Sequence, residues 1–179
     1  NDFGEADGEH PYESAARVIC DFDKPLIGAA QGIAIGGGAT ILFHCDVVYV
    51  GESLRMRLPF ANLGLVPEFA SSYMLQANIG ARRAAELFYT AEWIDADKAV
   101  DVGIATARYA DEELLPKAAA KAAEIAQWPV NALRETKRCL KAAHKGGIDR
   151  ALDIEHQGMQ KQAGSPENIE AVMAFIEKR

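Results

Sequence analysis

The sequence predicts an α/β domain in which the N-terminal half builds the sheet and the C-terminal half is helical, on three observations. Apolar and β-branched runs of strand length occupy residues 26–30 and 46–50. The triplet Gly36-Gly37-Gly38 stands between a strand-like run and a helix-like one. From Ser71 onward the chain falls into short helix-period segments rich in Ala, Lys and Glu. The 179 residues suffice for one domain with a substantial core, and 49% hydrophobic with 25% charged residues is a globular balance, not a disordered one.

Taken in order, residues 1–10 are acidic and glycine-containing and read as a loop, followed by a helix over 12–20. Lys24-Pro25 breaks that helix and introduces the strand 26–30. Residues 31–38 form a glycine-rich turn and 39–44 a helix, then 46–50 (DVVYV) a strand. Residues 54–58 alternate apolar and basic, the pattern of a half-exposed strand, and 60–66 is a loop bracketed by Pro59 and Pro67. Helices are predicted over 70–78, 81–88 and 95–102, with a last strand over 104–109. A helix over 111–127 takes Asp111 as N-cap. Pro129 starts the next, which stops at Gly146-Gly147, and helices over 149–162 and 166–178 complete the chain. The division is a sheet-bearing region, 1–109, and a helical region, 110–179.

Composition narrows the function. A net charge of −7 disfavours nucleic-acid binding, which needs clustered cations. The longest apolar stretch, 33–43, is interrupted by glycines and is too short to cross a bilayer. No basic segment followed by an apolar run, the pattern of a secretion signal, stands at the start of these 179 residues. Cys20, Cys45 and Cys139 are widely spaced and suit buried thiols in a reducing compartment, with the cytoplasm expected and peroxisome or mitochondrial matrix as alternatives. His10, His44, His144 and His156 share no metal-ligand spacing, and no metal is expected; His44 reads as a structural or capping group.

The glycine triplet admits two readings: a tight strand-to-helix turn, or a turn whose bare backbone lets a ligand approach helix N–H groups. The nucleotide fingerprints do not fit, because Ile41 stands where the last glycine of G-x-G-x-x-G belongs and no Gly-Lys-Ser/Thr follows.

The segment KPLIGAAQGIAIGGGATILFHCD, residues 24–46, resembles the signature of the crotonase (enoyl-CoA hydratase/isomerase) family. The resemblance continues through LPFANLGLVPE, AELFYTAEWIDADKAVDVGIA and the terminal AFIEKR. It implies a crotonase-like ββα spiral with a C-terminal helical trimerisation region, an acyl-CoA thioester substrate, no cofactor beyond the coenzyme A of that substrate, and a homotrimer or hexamer. It also implies two backbone donors to the thioester oxygen. One is Gly37, the middle glycine. The other is Asn1, because Asn1-Asp2 looks like the end of the family's upstream Phe-x-x-Gly-x-Asp motif, with roughly 70 residues of chain expected before it. An RNA-binding side activity, known by resemblance for some relatives, is disfavoured by the acidic balance.

Family hydratases carry glutamates at the positions of Thr40 and Phe60, so hydration is disfavoured here. Glu68, within Pro67-Glu68-Phe69-Ala70-Ser71-Ser72, instead matches the single catalytic glutamate of the peroxisomal-type Δ3,Δ2-enoyl-CoA isomerases. The plain alternative is a solvated glutamate at a helix start. By the resemblance Glu68 is the base; Ser71 and Ser72, with no nucleophile elbow around them, read as helix-start residues that support it, and Gly36, Phe60 and Phe69 are expected to line the substrate. The two rings would raise the Glu68 pKa. Lys178 and Arg179 are candidates for the coenzyme A phosphates, against the alternative of a solvated helix end. Thioester hydrolysis, decarboxylation, dehalogenation and acyl-CoA binding without catalysis are the rival functions.

Overall fold

Two strand pairs repeat one turn apart. In the computed structural model, which describes residues 11–179, strand β1 (Ile27–Ala30) pairs in parallel with β3 (Val47–Gly51), Ile27 opposite Val47. Strand β2 (Ile33–Ile35) pairs in parallel with β4 (Arg55–Arg57), Ile33 opposite Arg55. Parallel neighbours require a crossover. Helix α2 (Gly37–Thr40) and the 3-10 turn Ile41–His44 supply it between β2 and β3. The expected ββα spiral is therefore present. Strand β6 (Ala107–Tyr109) extends the first sheet to β1-β3-β6, and β5 (Ile94–Asp95) closes the second, β2-β4-β5, antiparallel to β4.

The core lies between these sheets and helices α3 (Ser71–Ile79), α4 (Ala81–Thr90) and α5 (Ala96–Val102). The alternation at 54–58 works as expected. Leu54, Met56 and Leu58 are shut off from solvent, while Arg55 points out and lies over the Trp93 ring. Helix α6 (Asp111–Ile125) packs back on β1 and β3, where Leu114 and Ala118 meet Tyr49. Helices α7 (Val130–Ala142), α8 (Lys145–Gln162) and α9 (Pro166–Ile176) follow, with α8 against α3. No helix among the described residues is long and apolar enough to cross a membrane.

Helix α1 (Pro11–Asp21) lies where expected, and several other boundaries differ for identifiable reasons. Residues 33–35 form β2, not a turn; Ile33 is exposed, so no burial pattern announces the strand. Asp111 does not cap α6. Ala110 holds that position, and the Asp111 carboxylate accepts the Ser53 N–H at 3.1 Å, tying the helix start to the β3–β4 turn. Gly146-Gly147 does not stop a helix but opens α8, because a Cβ on Gly147 would collide with the Tyr73 ring of α3. Cys139 is exposed, whereas Cys20 and Cys45 are partly buried.

Candidate active site

The site has a glycine corner and an acid corner. At the glycine corner Gly36 takes φ 54° and ψ −123°, a combination open essentially to glycine. Its N–H donates to Arg57 O at 3.2 Å, and its carbonyl accepts the Ala39 and Thr40 N–H groups at 2.8 and 2.9 Å. The ladder of α2 thus begins at Ala39, and the N–H groups of Gly37 and Gly38 have no acceptor within the helix. A side-chain carbon on Gly36 would lie 3.6 Å from Glu68 Oε1. The structure therefore brings Glu68 directly against the glycine turn.

At the acid corner Glu68 is half-buried and is followed by two consecutive non-glycine residues in the left-handed region, Phe69 at φ 63° and Ala70 at φ 53°. Such a conformation costs on the order of 1–3 kcal/mol per residue and persists only when the surroundings hold it. The Ser71 N–H donates to Glu68 O at 3.0 Å, and Ala70 O accepts from Tyr73 and Met74, so α3 starts immediately after the bend. Three side-chain bonds anchor the bend: His44 Nε2 to Phe69 O at 2.6 Å, Ala70 N–H to Glu155 Oε2 at 2.7 Å and Ser72 N–H to Glu155 Oε1 at 2.8 Å.

These bonds settle a tautomer. A carbonyl oxygen only accepts, so His44 Nε2 carries the hydrogen, and Nδ1 faces Cys20 Sγ at 3.5 Å as the acceptor. Burial pushes the Cys20 thiol up to about 11, which keeps it a donor. Burial lowers the His44 pKa, opposed by the bond to Phe69 O. Burial raises the Glu155 pKa, the Ser72 and Ala70 bonds oppose it, and the neighbouring Glu68 charge adds to the rise.

The remaining sequence candidates are placed as follows. Thr40 is buried, its hydroxyl 3.5 Å from Gly37 O. Phe60 is buried in the main core against Phe88, ring centres 6.2 Å apart. Phe69 is buried edge-on to His44 at 5.5 Å. Lys178 is exposed beyond α9 and joins none of these contacts among the described residues. Arg179 pairs with Glu170 and Glu177. Asn1 and His10 lie outside the described residues. Neither expected helix-start serine caps α3 with its side chain. Ala70 is the N-cap, and Ser71 Oγ is buried without a hydrogen-bond partner. The loop before Glu68 is braced by α9: Asn168 Nδ2 donates to Leu63 O at 2.6 Å, and Gly64, at φ 64°, leaves no room for a Cβ against the Asn168 backbone. Among the described residues no three His, Cys, Asp or Glu side chains gather as a metal site.

Sequence reasoning missed Glu155. Its signal was an ionisable residue on a buried helical stripe, Ile148, Ala151 and Glu155, at spacings of three and four.

Comparisons with known proteins bear on the fold and the family. The family model described as enoyl-CoA hydratase/isomerase matches residues 4–179. A crystal structure of an enoyl-CoA hydratase/isomerase from Pseudoalteromonas atlantica superposes with a TM-score of 0.94 at 33% identity, covering 99% of this chain and 72% of that one. The chain is 32% identical to a crotonyl-CoA hydratase from Syntrophomonas wolfei over 91% of its own length and 63% of the relative's. It is 29% identical to a 1,2-epoxyphenylacetyl-CoA isomerase from Escherichia coli, over 96% of its own length and 65% of that protein's. The chain thus spans a little under two thirds of these two curated relatives.

Proposed function

The chain belongs to the enoyl-CoA hydratase/isomerase family, and on that premise we propose that it moves the double bond of a 3-enoyl-CoA into conjugation as a 2-trans-enoyl-CoA, with Glu68 as the only base. The observation that carries this reading is the Glu68 carboxyl oxygen 3.6 Å from the side-chain direction of Gly36, beside amides that lack an intrahelical acceptor. In this mechanism the thioester oxygen accepts the Gly37 N–H and, by resemblance, the Asn1 N–H. That polarisation acidifies C2. Glu68 takes the C2 proton, the electron pair spreads over a dienolate, and the Glu68 carboxyl returns the proton to C4. One carboxyl suffices because one proton leaves and one returns.

Hydration needs a second acid–base group to activate water. The buried Thr40 hydroxyl and the Phe60 ring, at the family's two hydratase positions, cannot act as carboxylates. The hydratase name carried by the Syntrophomonas relative favours hydration as the second reading. Assembly as a trimer or hexamer belongs to the same proposal, supported by the exposed Leu140, Ile154, Phe175 and Ile176 on the C-terminal helices.

The test is Glu68→Gln in the full chain, assayed for conjugated thioester from a 3-enoyl-CoA and for water addition to a 2-enoyl-CoA. Isomerisation should fall by about 10²–10⁴ and hydration should be absent throughout. Near-wild-type isomerisation in the variant dismisses Glu68 as the base, and brisk hydration moves the reading to a hydratase.

A further inference from the structure

The peptide group that follows Phe69 is held at both ends. Its carbonyl accepts from His44 Nε2 at 2.6 Å, and its amide, the Ala70 N–H, donates to Glu155 Oε2 at 2.7 Å. A peptide is a rigid plane, so gripping its two poles fixes ψ of Phe69 and φ of Ala70 together. The second of these, φ of Ala70 at 53°, is one of the two positive φ angles of the left-handed bend next to Glu68. The grips come from far away in sequence, His44 from the 3-10 turn that continues the glycine corner and Glu155 from α8. Both side chains are buried. Without them, two ordinary residues at positive φ would relax and rotate the peptide, and the Glu68 side chain would swing with it.

We propose that His44 and Glu155 are positioning residues that clamp this peptide and so hold the Glu68 carboxyl against the glycine turn. The proposal rests on Glu68 being the base. His44 leads directly out of the glycine corner, so its bond to Phe69 O ties the two corners together. Glu155 adds a second point by accepting the Ser72 N–H with its other oxygen, which fixes the start of α3 as well.

The contacts could instead serve the fold alone, and three substitutions separate the two roles. His44→Phe keeps an aromatic ring but leaves Phe69 O unpaired, whereas His44→Gln carries a donor at the place of Nε2. Glu155→Gln keeps the shape but turns one acceptor into a donor that faces an N–H. In the full chain, His44→Phe and Glu155→Gln should lower kcat by about 10²-fold, the effect of misplacing a reacting group by roughly 1 Å. KM should stay within about threefold, because ground-state binding is untouched. Amide hydrogen exchange at Ala70 and Ser72 should quicken in Glu155→Gln, and His44→Gln should restore kcat to within about tenfold of wild type.

Unchanged kcat in both clamp variants, with Glu68→Gln inactive, overturns the positioning role. So does a failure of His44→Gln to outperform His44→Phe. If Glu68→Gln keeps its activity, the base assignment fails separately, and unchanged exchange at Ala70 and Ser72 then overturns the clamp itself. Should Glu155→Gln not fold, the two His44 variants decide the matter alone.

Discussion

The two corners of the site meet the same backbone demand by opposite means. Gly36, Phe69 and Ala70 all lie at positive φ, between 53° and 63°. At the glycine corner the residue has no Cβ, and the conformation follows from chemistry written at that position. At the acid corner two ordinary residues are forced to positive φ, Ala70 in the left-handed region at ψ 18° where Gly36 has ψ −123°, and are retained by His44 and Glu155, which stand far off in the chain. A shape made by a residue's own type survives changes elsewhere. A shape made by distant partners fails when either partner does.

The largest effect on stability is expected at the glycine corner. Gly36→Ala should destabilise the fold by about 1–3 kcal/mol, the strain of a side chain in a glycine-only region, measured by urea unfolding. Equal stability would break the comparison. The mirror substitution, Ala70→Gly, relieves the left-handed strain by about 1–2 kcal/mol but removes a buried methyl worth about 0.8 kcal/mol and frees the unfolded chain. The two effects should leave stability within about 1 kcal/mol of wild type. A loss as large as that of Gly36→Ala would mean that no strain is stored at the bend.

The smallest effect concerns pH. Burial lowers the His44 pKa below its ordinary 6.5, so the unfolded chain takes up that proton more readily than the folded one. The His44 contribution is complete above about 6.5 and is lost as pH falls through the lower, folded value. Glu155 has the opposite sign. Its pKa is raised above 4.5, so its contribution is complete below that value and is lost as pH rises through the folded one. Thermal melts of wild type and His44→Gln between pH 5 and about 7 isolate the histidine. The variant should lose less stability on acidification, and parallel curves would remove His44 protonation from the account.

The same contrast explains what could be read from the residues alone. The strands at 26–30, 46–50 and 54–58, the crossover between them and the glycine turn were legible because hydrophobic period and glycine are local signals. Strand β2 was not, because exposed Ile33 and Ile35 carry no burial pattern and their pairing with Arg55 and Arg57 is set by the neighbouring turn. Gly146-Gly147 read as a stop because glycine usually is one, but here Gly147 admits the Tyr73 ring inside a helix start, while Gly146 faces open space. The motif singles out Glu68 as a candidate, and the structure sets its carboxyl beside the glycine turn. Its bend and its anchor Glu155 were not legible, since the stripe of Ile148, Ala151 and Glu155 marks a buried carboxylate but not its partner 85 residues away. His44 was read as structural, and the structure gives it that part at a specific carbonyl.

The central claim is that the Glu68 carboxyl faces the α-carbon of a thioester held at the glycine turn. The most direct measurement is a crystal structure of the full chain with a saturated, unreactive acyl-CoA bound. The account predicts the thioester oxygen within hydrogen-bonding distance of Gly37 N and a Glu68 oxygen about 3–3.5 Å from the α-carbon. A thioester bound with its α-carbon turned away from Glu68, or with Gly37 N–H bonded elsewhere, would contradict it.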